Sequence, residues 1–530
     1  MLPSILLVAI AIAIVGVDRV YAQSTLTISV PLTAPTQAVS VSPALLSFSI
    51  EGDRWPEWVA NPPSYTTRND FTFNALSNLG ALTGLPPNIR VGANSEDRIQ
   101  LDNTVNVVQA SFPPPTASLP YPEASAVLVS DGYYTLSRFL PSGTHMTWGL
   151  NFGTTNTAPA IAQAKSILST FSSTGASTAA GISLDLLELG NEPDLYGTNG
   201  HRTSGYSISQ YVSEWNTVMS AIISATSLKT GVRPFILGLS FGHSDHGVGE
   251  FSPQQAFADG YLTTNAGKFV TIISQHNYEG GCCTALVSNL MSKSLTRSNL
   301  TAFTSDIQAV KAKGLKYIFG ETNSYFNHGV PSVSDTGGAA VWVVDYTLFA
   351  GTLGIANMFF HEGIGFKYNL FQPVSLNRSI EDATPLNPPV AAHVQPAYYA
   401  AIVIAEFLGS STRNLVELST TSSNIISAYA LYSGTSISRV LLINHQAFLS
   451  SSSGSARPSV SVFFSLSGGG KTVQIKRLSI PFADSKSGLK WGGQSYETSN
   501  ALVSGSLVTT SQVLTDPIVV SATEVVMVTS

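Results

Sequence analysis

A (β/α)8 barrel followed by a β-sandwich is the fold this sequence predicts, and three observations carry the prediction. Between about Pro43 and Leu408, short β-branched runs alternate with amphipathic stretches of helical period. After Gly409 the helical period disappears, and strand-like runs follow one another across Ser- and Gly-rich turns. The chain has 530 residues, of which 44% are apolar and only 11% charged, so it can fill more than one core.

The N-terminal residues form the first element. Leu6 to Val17 is an unbroken apolar run of about a dozen residues, too short to span a bilayer comfortably. The small-residue pattern Val20-Tyr21-Ala22 precedes Gln23, so residues 1–22 read as a secretory signal peptide. The expectation is an extracellular protein with no membrane attachment after cleavage. Two N-x-[ST] sequons, at Asn299 and Asn377, agree with export as candidate glycosylation sites. The only cysteines, Cys282 and Cys283, are adjacent and cannot staple distant segments; they form either a vicinal disulfide or two buried thiols. Net charge is −6 with no basic run, which argues against a nucleic-acid partner.

Residues 23–42 are strand-like over Thr25–Val41 and are expected to add strands to the sandwich. Residues 43–409 supply the barrel. Its strand candidates are Ser47–Ile50, Ile89–Val91, Met146–Leu150, Leu184–Leu189, Phe235–Leu239, Val270–Ser274, Tyr317–Gly320 and Ile355–Phe360. The clearest helices are Phe71–Leu82, Ala158–Phe171, Ile208–Ala225, Leu300–Lys313 and Ala339–Leu348. A last helix opens on Pro396, favoured at a first helical position, and stops at Gly409. The Pro-rich stretch Val105–Glu123 reads as a long irregular loop. Residues 410–530 supply the sandwich, with strands at Ile425–Tyr432, Val440–Asn444, Val460–Leu466, Val473–Ile480 and Glu524–Val528.

In a barrel, chemistry collects where strands end at the carboxyl face. The fourth strand runs into Asn191-Glu192-Pro193, and the seventh ends in Gly320-Glu321-Thr322-Asn323. Each puts a carboxyl group at the mouth. Two such groups facing each other can cleave a glycosidic bond, one protonating the leaving oxygen and the other attacking the anomeric carbon. A strand-end Glu is more often a solvated or satisfied group. Only 32 acidic residues occur in the chain, however, and one stands at each of these two ends. No His/Cys/Asp cluster has convincing metal-ligand spacing, and no cofactor motif is present, so neither metal nor cofactor is expected.

These motifs resemble the retaining (β/α)8 glycosidases. More narrowly, Gly320-Glu321-Thr322-Asn323-Ser324 with Ser334-Asp335-Thr336, Gln275-His276-Asn277-Tyr278, and Arg90-Val91-Gly92-Ala93-Asn94-Ser95-Glu96-Asp97 resemble the heparanase and β-glucuronidase family. The resemblance runs through the barrel and the trailing sandwich. It implies a retaining enzyme acting on a β-linked uronic acid, with Glu192 as acid/base and Glu321 as nucleophile. It further implies that Asn191 bonds the 2-hydroxyl, that Tyr278 donates to Glu321, and that Asp97 and Glu51 bind sugar hydroxyls. Tyr368 and the loop Tyr325, Phe326 to Gly329 would face the uronate carboxylate, with Lys367 as a candidate cation, and His276 would be a positioning group. Endo-acting relatives carry glycines after the nucleophile. The bulk of Tyr325 and Phe326 therefore favours a pocket for a terminal β-glucuronosyl residue over an open groove. The competing readings are an endo-acting or neutral-sugar β-glycosidase using the same glutamates, and an inactive carbohydrate-binding or wall-associated protein. The intact Glu192, Glu321 and Tyr278 set argues against the last.

Overall fold

The computed structural model describes residues 24–172, 179–281, 287–420, 423–465 and 471–529. The segment read as a signal peptide and the pair Cys282 and Cys283 lie outside the described residues.

Eight parallel strands close into a barrel. They are β1 (Leu46–Glu51), β2 (Ile89–Gly92), β3 (His145–Leu150), β4 (Ser183–Leu189), β5 (Phe235–Phe241), β6 (Val270–Gly280), β7 (Lys316–Tyr325) and β8 (Met358–Glu362). Each of the eight strand candidates read from the sequence overlaps one of them. Strands β6 and β7 run well past the apolar residues that announced them, into Asn277, Tyr278 and Thr322–Tyr325. Periodicity marks only the part of a strand that faces hydrocarbon, so their polar ends were not visible in it.

Alternation along the strands divides the barrel interior into layers. Towards the amino ends, Leu186, Leu237, Ile318 and Phe359 form a small apolar plug of their own. Two residues further along β4 and β8 come Glu188 and His361. The upper interior is thus polar and charged while the floor is sealed. Register slips between Gln275 and His276 on β6, and between Phe319 and Thr322 against β8, re-aim the side chains of β7 where the polar layer begins.

Helices cover the barrel outside, and most follow their predicted spans. Ile208–Thr226 starts with a capping box between Ser207 and Gln210. The pattern read as one helix over Leu300–Lys313 is instead two, Lys293–Thr301 and Thr304–Ala312. Phe303 breaks the run because its ring turns inward against Phe319, with centroids 4.9 Å apart. The stretch read as an irregular loop contains a strand, Val108–Ser111, paired with Ala126–Val129 in a three-stranded sheet with Ile99–Leu101. The proline-rich remainder stays irregular, because proline cannot donate to a ladder.

The second unit is a β-sandwich. An eight-stranded sheet runs through Ile426–Ser433, Ser436–Asn444, Glu524–Thr529 and Thr472–Ser479. A three-stranded sheet faces it. Both take a strand from the N-terminal segment: Ser24–Ser29 pairs with Ser459–Ser465, and Val39–Val41 pairs with Arg413–Glu417.

An ion network around Arg297 joins the units. Arg297 donates to both oxygens of Asp345 at 2.6 and 3.0 Å, to Glu417 at 2.7 Å and to the Tyr429 hydroxyl at 2.9 Å. Asp345 is fully buried, and burial opposes its charge. Arg297 foremost, then His445 and the Tyr429 hydroxyl, outweigh that and hold its carboxyl well below the usual carboxylate range. Removing one partner would leave buried charge uncompensated. Asp345→Ala should therefore cost about 3–5 kcal/mol of stability. Calorimetric unfolding should show a lowered transition, and Arg297→Met alone should cost a comparable amount.

Candidate active site

Arg90 organises the barrel mouth. It points inward from β2 and is 1% exposed. Its Nε and one terminal nitrogen grip Glu188 at 2.6 and 3.2 Å. That second nitrogen also reaches Asn191 Oδ1 at 2.8 Å. The other terminal nitrogen donates to Ser49 Oγ at 3.0 Å and to Glu321 Oε2 at 2.9 Å. The Ser240 hydroxyl also donates to Glu188.

Glu192 lies just past β4 with left-handed backbone, φ 48° and ψ 55°. That conformation is uncommon for a residue with a Cβ, and strained positions of this kind cluster at functional sites. The Glu192 N–H donates to the Ser240 carbonyl at 3.0 Å, and His276 Nδ1 lies 2.9 Å from its Oε1. Across the mouth, the Tyr278 hydroxyl donates to Glu321 Oε1 at 2.7 Å. His361 Nδ1 stands 3.9 Å from Glu321 Oε2. Single ligand atoms of Glu192, His276 and Glu321 all lie within 4.8 Å of one another. That closeness suits carboxyl groups about 5–5.5 Å apart, the spacing for direct attack by one of them. The same three residues form a potential cation-binding group. A cation bound there would have to displace the donors that already occupy both oxygens of Glu321.

The two glutamates are poised oppositely. Burial, reinforced by Glu321 and Asp194, raises Glu192 well above its usual range and keeps it protonated. Burial also works against the charge of Glu321. His361, His276, Arg90 and the Tyr278 hydroxyl outweigh it and lower the carboxyl to about 2. His276 itself is pushed down to about 4 by burial, so above that pH it is neutral. The working cations are therefore Arg90 and His361; burial opposes the His361 charge, but Glu321 and Glu51 raise it to about 9.

Several of the residues singled out in the sequence have structural partners of their own. Asp97, read as a sugar ligand, has both oxygens occupied: Oδ1 accepts the Phe152 N–H at 2.9 Å, and Oδ2 accepts the Asn191 N–H at 3.2 Å and the Tyr196 hydroxyl at 2.6 Å. Glu51, read likewise, accepts the Ser95 N–H at 2.7 Å and faces His361 Nε2 at 3.3 Å. Both are buried and hold Asn191 and His361 in place. Lys367 Nζ reaches the Ser118 carbonyl at 3.5 Å and lies within the fields of Glu381 and Asp335. Tyr325 is buried, its ring over Gly280, and the half-exposed Phe326 ring lies over Gly281. Tyr368 is buried beside Tyr278, with ring centroids 6.2 Å apart. Asn299 is half-buried and donates to the Tyr278 carbonyl at 3.1 Å, whereas Asn377 is exposed.

Sequence reading gave no role to Arg90, Glu188, His361 or Glu123. Arg90 and Glu188 left a trace, as charges inside apolar strands. Glu123 left none. It belongs to the proline-rich loop and meets His328 Nε2 at 3.2 Å and Asn94 Nδ2 at 3.1 Å over the mouth.

Three outcomes are expected. The rate should fall below about pH 3 as Glu321 gains a proton, and fall again in alkali as the raised Glu192 loses its own. Glu192→Gln assayed on activated aryl glycosides should show a shallower alkaline fall than the wild type. Tyr278→Phe removes one hydrogen bond to a charged group, worth about 1.5–3 kcal/mol, so kcat should drop roughly 10- to 100-fold.

Comparisons agree with this geometry. The model of the Glycosyl hydrolase family 79 C-terminal beta domain matches residues 428–527. A β-glucuronidase of Neurospora crassa is 28% identical over 512 residues, covering 88% of this chain and 87% of that one. A β-glucuronidase of Aspergillus niger is 27% identical over 497 residues, covering 89% and 87%. The crystal structure of a 4-O-α-L-rhamnosyl-β-D-glucuronidase from Fusarium oxysporum superposes with a TM-score of 0.78 at 25% identity, covering 95% of this chain and all of that one. An arabinofuranosidase from Xanthomonas axonopodis pv. citri shares the fold, with a TM-score of 0.59 at 14% identity. A buried pair of oppositely poised carboxyls in a barrel with these relatives makes the chain a glycoside hydrolase similar to the heparanase and β-glucuronidase family.

Proposed function

We propose that the protein is a secreted, retaining exo-β-glucuronidase that removes terminal β-linked glucuronic acid by double displacement. The observation that carries the mechanism is the Glu192–Glu321 pair, close together and opposite in protonation. Glu321 attacks the anomeric carbon while Glu192 gives its proton to the leaving oxygen. A glycosyl ester on Glu321 results. Glu192, now ionised, takes a proton from water, which attacks the anomeric carbon and releases Glu321.

The uronate reading draws on the loop after the nucleophile. Asn327, His328 and Gly329 take left-handed backbone in succession, with φ of 61°, 68° and 84°. The Gly329 N–H donates back to the Tyr325 carbonyl at 3.1 Å, so a carboxylate would draw on the Asn327 and His328 N–H groups of this turn. The β-glucuronidases among the relatives support the same sugar. Exo action is favoured by a tight mouth: the side chains of Glu321 and Glu192 are only 6% and 14% exposed. The pair Glu123 and His328 lies over it, and a further sugar on the glycone side would have to pass them. Export is favoured by the apolar run Leu6–Val17 and the cleavage pattern before Gln23.

Aryl β-glucuronide should be hydrolysed at least about 100-fold faster than aryl β-glucoside or β-galactoside, since a charge-paired site left empty loses its charge-assisted bonds. NMR of the first product should show the β-anomer. The α-anomer would reject double displacement, and equal rates on the neutral sugars would reject the uronate. A uronic-acid polysaccharide should release monosaccharide with little early loss of length; rapid shortening would reject the exo mode.

A further inference from the structure

The barrel holds a carboxyl group that the mechanism leaves unused. Glu96, in the turn after β2, is 1% exposed. Among the described residues neither of its carboxyl oxygens has a hydrogen-bond partner. Its Oε2 lies 3.7 Å from Arg90, too far for a hydrogen bond. Arg90 has none to give. A guanidinium carries five N–H bonds. In Arg90, these go twice to Glu188 and once each to Ser49, Asn191 and Glu321.

The space around Glu96 is nevertheless cleared for it. A Cβ on Gly92 of β2 would come within 2.2 Å of Glu96 Oε2, and one on Gly149 of β3 within 2.0 Å. The carboxyl group thus lies against bare backbone on two strands. The titratable groups facing it are Arg90 and Glu188 inside the barrel, Glu321 across it, Asp97 in its own turn, and the Tyr133 and Tyr196 phenols. One of these is a cation, and that cation is saturated by other acceptors.

We infer that Glu96 keeps its proton in the working enzyme and is a positioning residue: as a neutral acid it fills the gap beside Arg90 without competing with Glu321 and Asn191 for the guanidinium. Burial foremost, then Glu188, Asp97 and Glu321, favour that protonated form, against Arg90. Ionised, it would be a surplus buried carboxylate, and the least costly relief is to pull Arg90 off the nucleophile.

The sign of the linked effect is fixed. A carboxyl raised in the folded state contributes stability below its unfolded value, and that contribution is lost as pH rises towards the folded one. Glu96→Gln mimics the neutral form at every pH. Its melting temperature should match the wild type near pH 4 and exceed it by a few degrees at pH 7–8. Infrared spectra of the wild type at pH 7 should contain a protonated-carboxyl carbonyl stretch that Glu96→Gln lacks. In kinetics, the alkaline fall of kcat should be steeper in the wild type, where two groups lose protons, than in the variant, where one does. A Gln variant that is less stable than the wild type at pH 7, or an infrared spectrum without the missing band, would overturn the inference. The melting and infrared arms need no substrate, so they stand apart from any failure of the glucuronidase reading.

Discussion

The mouth of this barrel depends on one guanidinium with no donor to spare. Arg90 ties β1 through Ser49, β4 through Glu188 and Asn191, and β7 through Glu321. Planarity makes these five bonds mutually dependent, because moving one carboxylate turns the fork for all. The two mouth glutamates are therefore located by a partner that touches Glu321 directly and Glu192 only through its neighbour Asn191. The asymmetry is functional. Glu321 receives a fixed positive charge and ionises, while Glu192 receives burial and a neutral imidazole and keeps its proton. Two identical side chains acquire opposite roles from what stands beside them.

How much of this could be read beforehand follows from the physics of each feature. Alternating apolar periods exposed the barrel, since eight buried parallel strands must each present a β-branched run. Glu192 and Glu321 were legible because the barrel topology says where chemistry collects, and Asn-Glu-Pro and Gly-Glu-Thr-Asn mark those ends. Asp97 and Glu51 have structural partners that the sequence did not show, for a physical reason. Position at a strand end shows that a carboxylate is near the mouth, but not which main-chain groups it bonds. The Phe152, Asn191 and Ser95 amides that bond them are backbone groups, invisible in side-chain chemistry. Glu188 carried a fairer signal: an acid on the inward face of a sealed strand demands a buried cation, and Arg90 stands at the matching height on β2.

The glycines show the same economy. Gly92 and Gly149 look like weak strand residues, yet each leaves the room that a buried carboxyl occupies. Gly329 has φ 84°, and a Cβ there would meet Ser334 at 2.9 Å. Left-handed backbone at Asn327 and His328 is costlier, and something must hold it. His328 is stacked on Phe366 with centroids 3.5 Å apart and bonded to Glu123, so packing on one side and an acceptor on the other fix the turn.

The sandwich completes that support. The helix Gly337–Leu353 begins eight residues after Gly329, and its first N–H groups need acceptors from outside the helix. They find them in the second unit. Gly337 donates to the Ser485 carbonyl and Gly338 to the Ala483 carbonyl, each at 2.7 Å. Cβ atoms at these glycines would lie 2.4 Å from Ile480 and from Val287, so nothing larger admits the approach. Lys486, from the same segment, reaches Asp335 at 3.0 Å and Glu381 at 2.5 Å. One end of the loop after Glu321 is thus fixed by β7 and the other by the sandwich. A barrel alone would leave the helix start without these acceptors and the turn at Asn327–Gly329 anchored at one end only. Pairing of Ser24–Ser29 and Val39–Val41 into the sandwich sheets adds chain connections on both sides of the barrel, so the two units order each other.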